Sequence, residues 1–333
     1  MRNRIANPFA VSILLASAVA LANGQRSIPL PNLPEQVATN PQTNRVYVAV
    51  STFESAPYDY LTVIDGRKDK VITNIQIPPV AYAVTVDPIH NIVYVGGAYL
   101  NLDGSISGSE IVAINGATNK IIKTISVTST PTSPGIQGLA VNWRTGDVYA
   151  ANGSDNEVDV IHNFQVTARV AVGGNPYGVA VNQMHGTVYA SLADTGGVVL
   201  INPKTNEVTT TTAFGTSGAG ITVDQETGNV FTTNSVTTLP PDVAEVGALG
   251  SDGTLLATIP VGNIPIGIDA DYDSHLVYVA NTGDDTLSVI NGKTNAVIKT
   301  LPVSSLFVAV NPVSEKVYIA PQDNVAALTV IEE

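Results

Sequence analysis

Residues 267–303 read GIDADYDSHLVYVANTGDDTLSVINGKTNAVIKTLPV, and this stretch decides the fold. It contains four short runs rich in Val, Ile, Leu and Tyr, the residues that suit a pleated, packed surface. Between them lie YDSH, TGDD and GKTN, clusters of the residues that make tight turns. Four short strands joined by tight turns form one small antiparallel sheet.

The same phrase recurs along the chain. Its first half reads VATNPQTNRVYVA from Val37, AVTVDPIHNIVYVG from Ala83 and GLAVNWRTGDVYAA from Gly138. It continues as GVAVNQMHGTVYAS from Gly178, GITVDQETGNVFTT from Gly220 and FVAVNPVSEKVYIA from Phe307. The central aromatics are Tyr47, Tyr94, Tyr149, Tyr189, Phe231, Tyr278 and Tyr318, seven copies spaced 40 to 55 residues apart. Second halves such as LTVIDGRKDKVITNIQI from Leu61 and IVAINGATNKIIKTISV from Ile111 add two more strands. A four-stranded unit at this period is a propeller blade. One such sheet cannot cover both its faces, whereas seven stacked radially cover each other and leave no long free edge. The sequence therefore predicts an all-β, seven-bladed β-propeller of four-stranded antiparallel blades.

Each first turn starts with an Asx residue: Asn40, Asp87, Asn142, Asn182, Asp224, Asp271 and Asn311. Its side chain can accept from backbone N–H groups two or three residues on. Four positions later stand Asn44, Asn91, Gly146, Gly186 and Gly228, which tolerate positive φ, while His275 and Glu315 depart from that pattern. The last unit has only three strands before Glu333. RSIPLP from Arg26 matches ATIPVG from Ala257 and KTLPVS from Lys299, so residues 27–30 should supply the missing outer strand and lock the ring.

Residues 1–24 read as a signal peptide. Arg2 and Arg4 precede an apolar run from Phe9 to Leu21, and Ala20-Leu21-Ala22 fits the cleavage pattern. Residues 25–333 then form a single propeller domain, placed outside the cytoplasm: secreted, periplasmic or at the cell surface. Cysteine is absent, which excludes disulfides, thiolate catalysis and Cys-ligated zinc. Losing the leader leaves 13 of the 15 basic side chains against 28 acidic ones, a formal net charge of −15. Such a chain should avoid nucleic acid, and its mature part should not insert into a membrane.

The repeat resembles the YVTN-repeat β-propellers of bacterial and archaeal envelope proteins, most closely over VYVANTGDDTLSVINGKTNAVIKTLPV, residues 277–303. The resemblance covers essentially all of residues 25–333. It implies the fold and an extracytoplasmic setting and says little of activity. Related seven-bladed propellers include lactonases and a streptogramin lyase, and fold does not choose among these.

Topology sorts residues by face. With strands lettered A to D from the channel outward, A–B and C–D turns share a bottom face, and B–C loops and D-to-A links share a top face. Lys and Arg fall at the bottom turns or in outer strands. The top carries Glu35, Glu54, Asp59, Asp103, Glu110, Asp155, Glu157, Asp194, Asp242, Glu245, Asp284, Asp285 and Asp323. It also carries the long loops 51–60, 97–109 and 235–244. A one-signed face attracts cationic partners, although loop acids also serve solubility alone. At the channel mouth the links present Glu35, Tyr82, Gln137, Tyr177, Ala219, Ile266 and Leu306. A carboxylate, an amide and two phenols could hold a small polar ligand, or side chains could simply plug the mouth. Asp269 stands where other A strands carry Ala or Thr, so it needs hydrogen bonds, water or a cation. The candidate ligand-binding residues are Glu35, Tyr82, Gln137, Tyr177 and Asp269.

His90, His162, His185 and His275 all fall in bottom turns, away from the mouth. No G-x-S-x-G, phosphate loop or H-E-x-x-H occurs. Trp143 falls in a bottom turn, which argues against a quinone-stacking floor. The sequence thus favours a non-enzymatic binding propeller for a protein, glycan or cationic ligand on the acidic face. The alternative is a calcium-assisted hydrolase such as a lactonase, with Glu35 and Asp269 as carboxylates, since oxygen ligands suit calcium. A structural surface-layer component is a third reading.

Overall fold

The computed structural model describes residues 24–52, 57–100, 106–128, 135–235 and 244–332. Among these residues every regular element is a strand. Residues 1–23 of the expected signal peptide 1–24, Glu54, Asp103, Asp242 and much of the three long top loops lie outside them.

The strands form seven four-stranded antiparallel sheets. In blade 1 the order outward is Leu33–Asn40, Arg45–Ser51, Asp59–Asp65 and Lys70–Ile77. Composition follows radial position. Strand B is covered by neighbouring blades on both faces, so Val46, Tyr47, Val48, Ala49 and Val50 are an unbroken apolar run with no exposure. Strand D is the rim, and most of Lys70–Ile77 is exposed or half-exposed. The core is therefore a ring of interblade layers, such as the one joining Tyr47 and Val63 of blade 1 to Val84, Val95 and Ile114 of blade 2.

The ring closes as the sequence predicts, with a shift of one residue. Arg26–Pro29 is the outermost strand of blade 7, outside Ala327–Glu332, Lys316–Ala320 and Phe307–Asn311. It pairs Arg26 with Val330 and Pro29 with Ala327, and Leu30 N–H continues the ladder to Ala326 C=O at 2.8 Å.

Side chains reinforce this joint in a way the sequence reading missed. Lys316, only 7% exposed, donates to both Asp69 oxygens at 2.9 and 3.0 Å and to Gly66 C=O at 2.7 Å. Arg26 meets the same Asp69 at 3.0 Å and Glu332 at 2.6 Å. The Tyr318 hydroxyl reaches Gly66 C=O and Asp69 at 3.2 and 3.3 Å. Asp69, in the C–D turn of blade 1, thus gathers two cations and a phenol from blade 7.

The A–B turns also hold the ring. Asn40 Oδ1 accepts from Gln42 and Thr43 N–H, and Asp87, Asn182, Asp224 and Asp271 act alike. His275 and Glu315 prove to share the left-handed backbone of their equivalents, with φ of 59° and 52° beside 50° for Asn44 and 74° for Gly146. The departure is in residue type alone. At His275, interblade bonds hold the conformation: Nδ1 meets Asp224 at 2.9 Å and Nε2 meets Glu226 at 3.1 Å.

Candidate functional site

The A strands line a central channel. They are Leu33–Asn40, Ala83–Asp87, Ile136–Val141, Pro176–Val181, Gly218–Val223, Pro265–Asp271 and Phe307–Asn311. The channel encloses a cavity of about 290 Å³. Its described lining contains no histidine.

The mouth is built by β-bulges. In blade 1 the pairing jumps from Pro34–Val50 to Val37–Val48, so Glu35 and Gln36 together oppose Ala49. The same slip frees Gln137 in blade 3, Tyr177 with Gly178 in blade 4, Ala219 with Gly220 in blade 5 and Ile266 with Gly267 in blade 6. A bulge turns its extra residue out of the ladder. Five of the seven mouth residues therefore lie inside strand A rather than before it, because the strands run further toward the top than the linker reading allowed.

The residue after the bulge packs against the next blade. A Cβ on Gly138 would come within 2.7 Å of Tyr177 C=O, and one on Gly178 within 2.8 Å of Ala219 C=O. Blades 1, 2 and 7 put Gln36, Ala83 and Phe307 in that slot. Gln36 turns to the channel, where its amide donates to Gln137 C=O at 3.1 Å and its oxygen accepts from Val84 N–H at 3.4 Å. The sequence reading did not single it out. The signal was available, as the one amide in a slot that is glycine in four copies.

Three predicted residues come together. The Tyr82 and Tyr177 hydroxyls are 3.2 Å apart, bridging blades 2 and 4 over Gln137. The Tyr82 ring meets Phe307 of blade 7 edge-to-face at 6.4 Å between centroids. Tyr82 thus spans the mouth. Glu35 lies within electrostatic reach of both phenols, whose ionisation is pushed up by burial and further by its charge. Glu35 itself is pushed up to about 7, first by burial and then by the nearby Asp59. Among the described residues it accepts no hydrogen bond and has no basic neighbour.

Asp269 lies apart from that cluster, lower in the channel wall. Of the partners that the sequence reading left open, hydrogen bonds, water or a cation, the protein itself supplies hydrogen-bond donors. Val310 N–H donates at 2.8 Å, Ala270 N–H at 2.9 Å and Thr222 Oγ1 at 3.3 Å. Burial still pushes it up to about 6 against those three bonds. With both oxygens engaged across blades 5 to 7, Asp269 acts as an interblade brace.

Trp143 belongs to a bottom turn and nevertheless lines the lower end of the channel. Its N–H donates to Gln183 Oε1 at 2.8 Å, and Gln183 N–H donates to Gln225 Oε1 at 2.8 Å. The A–B turns lean inward here, which their position in the chain does not reveal.

Many top acids are committed to the fold. Asp59, 5% exposed, accepts from Thr52 N–H at 2.8 Å and Ala81 N–H at 2.9 Å. Asp194 accepts from Asn175 N–H, and Asp284 from the backbone and amide of Asn263. Arg169 reaches toward the top and pairs with Asp159 at 3.1 Å and Glu157 at 4.0 Å, so the acids there do not stand wholly without a counter-charge. Asp194 and Asp284 thus tie their B–C loops to the preceding link, and Asp59 ties its loop to the following one.

No known family's sequence pattern matches the chain, and no curated protein matches it. The fold is shared. Hydrazine synthase of Kuenenia stuttgartiensis is similar at a TM-score of 0.74 and 15% identity, over 91% of this chain and 96% of that one. This chain is a seven-bladed β-propeller. At that identity the likeness extends to the fold alone.

Proposed function

We propose that this chain is an exported binding propeller of the YVTN-repeat kind, which recognises a small polar or cationic ligand at its channel mouth and does not turn it over. The resemblance over residues 277–303 and the leader-like residues 1–24 support the family and the export. The mouth supports the binding role. The Tyr82 and Tyr177 hydroxyls meet, within electrostatic reach of Glu35, beside a cavity of about 290 Å³ whose wall includes Gln36, Gln137 and Tyr177. Convergent polar groups in a concave, partly apolar cavity are the usual form of a small-molecule site. The wider acidic face is the weaker part of the reading, since Asp59, Asp194 and Asp284 already serve backbone N–H groups. The calcium-assisted hydrolase is weaker too, since Asp269 is saturated by three protein donors.

Trp143 is the single tryptophan and lines the channel, so its emission reports occupancy. In a screen of small solutes, ligands that raise Tm and shift Trp143 emission should lose both effects in Gln137→Leu and Tyr177→Ala. Effects that persist in both variants would move the site elsewhere. Conversion of a solute to product would replace the binding role with an enzymatic one.

A further inference from the structure

Glu35 is the one mouth group whose chemistry is left incomplete. The bulge in blade 1 turns it out of the ladder, where it is half-buried, accepts no hydrogen bond among the described residues and faces no Lys, Arg or His. The titratable groups around it are Asp59, Tyr82 and Tyr177. Asp59 cannot turn to help, because its two oxygens hold Thr52 N–H and Ala81 N–H. A desolvated carboxylate beside a second acid calls for a cation.

The kind of cation follows from the remaining walls. Calcium takes six to eight oxygen ligands at about 2.3–2.6 Å. The mouth offers instead one uncommitted carboxylate, two phenols and the Phe307 ring. Aromatic rings attract organic ammonium ions through their π faces, and a carboxylate completes the charge balance. Resting on the reading of the mouth as the binding site, we propose that the ligand is an organic amine carried as its ammonium ion, paired with Glu35 and enclosed by Tyr82, Tyr177 and Phe307. Gln36 and Gln137, just below on the channel wall, would hold a polar tail entering the cavity.

Binding then requires ionised Glu35. With the free carboxyl titrating at about 7, the affinity for an ammonium ion rises with pH from 6 to 8, by about tenfold. The bound ion holds the carboxyl in its charged form, so a proton leaves as the ligand enters.

Calorimetric titration of n-butylammonium into the protein at pH 6 and pH 8, in two buffers of different ionisation enthalpy, tests this. Saturable one-to-one binding is expected, about tenfold tighter at pH 8, with proton release near pH 7. Glu35→Gln should abolish it. Tyr82→Ala should weaken it about tenfold, and Tyr82→Phe should leave it within threefold. The Tyr82 pair keeps the test alive if Glu35→Gln fails to fold. Equal binding by Glu35→Gln, equal affinity for n-butanol, or displacement by millimolar calcium would each overturn the amine assignment. Binding of n-butanol that the Tyr82→Ala change weakens would keep the mouth as a site while removing the amine. Binding of neither probe at either pH would overturn the assignment, and solutes from the Trp143 screen that remain sensitive to Gln137→Leu would still mark the mouth.

Discussion

Glu35 and Asp269 are both carboxylates in A strands, and their surroundings give them different roles. Asp269 has three donors and braces blades 5, 6 and 7. Among the described residues Glu35 has none, and it is held near an acid. The folded protein therefore penalises ionised Glu35. Below the usual value of 4.5 the group is protonated folded or unfolded and makes no difference; above about 7 the folded state must carry a poorly solvated charge. Glu35→Gln should raise the unfolding free energy at pH 8 by about 1–3 kcal/mol and leave it unchanged at pH 4, as measured by urea denaturation. Position in the repeat made Glu35, Tyr82, Gln137 and Tyr177 legible as mouth residues. Their partners were not legible, because Tyr82 meets groups in blades 4 and 7 that periodicity does not relate.

At the scale of the element, the bulged A strand is the device that makes a mouth. The slip adds one residue that faces inward, and the next residue must be small where the neighbouring carbonyl comes close. Gly178→Val should cost about 1–3 kcal/mol, since the added carbons meet Ala219 C=O and Ile221 Cγ2 within 3 Å. Gly146→Asn should cost well under that, because Asn44 and Asn91 already occupy the same left-handed turn position and the nearest atom to a Cβ there is 3.7 Å away. Thermal melts of the two variants separate these cases. The strands and Asx turns were readable from period and turn chemistry. The bulges were not, as a bulge changes pairing without changing the apolar pattern. Only the recurrent glycine of GLAV, GVAV, GITV and GIDA hinted at it.

The whole molecule depends on a ring closed without disulfides. The match of RSIPLP to later D strands exposed the closure in the sequence, whereas the Asp69 cluster was hidden, since its members come from both ends of the chain. Removing one partner of a buried pair leaves the other charge stranded. Asp69→Ala should therefore cost about 3 kcal/mol and speed proteolysis at the N-terminal strand, more than the exposed Lys68→Ala, which loses only a 3.8 Å contact to Asp65. A global pH trend follows as well. Glu35, Asp159 and Asp269 are pushed up to about 7, 6 and 6, in each case chiefly by burial. The native state thus holds more protons than the unfolded chain between about pH 4 and pH 7, and its stability falls as pH rises through that window. The formal net charge of −13 acts in the same direction. Tm should be higher at pH 5.5 than at pH 8.

The proposed amine site turns on one unpartnered carboxylate at the mouth, Glu35. Carbon-13 NMR titration of the Glu35 side-chain carboxyl in the ligand-free protein tests it most directly. A midpoint near 7 that falls toward the ordinary carboxylate range on adding n-butylammonium is the predicted result. A midpoint near 4.5 from the outset, unmoved by the amine, would mean that water already satisfies Glu35 and would contradict the account.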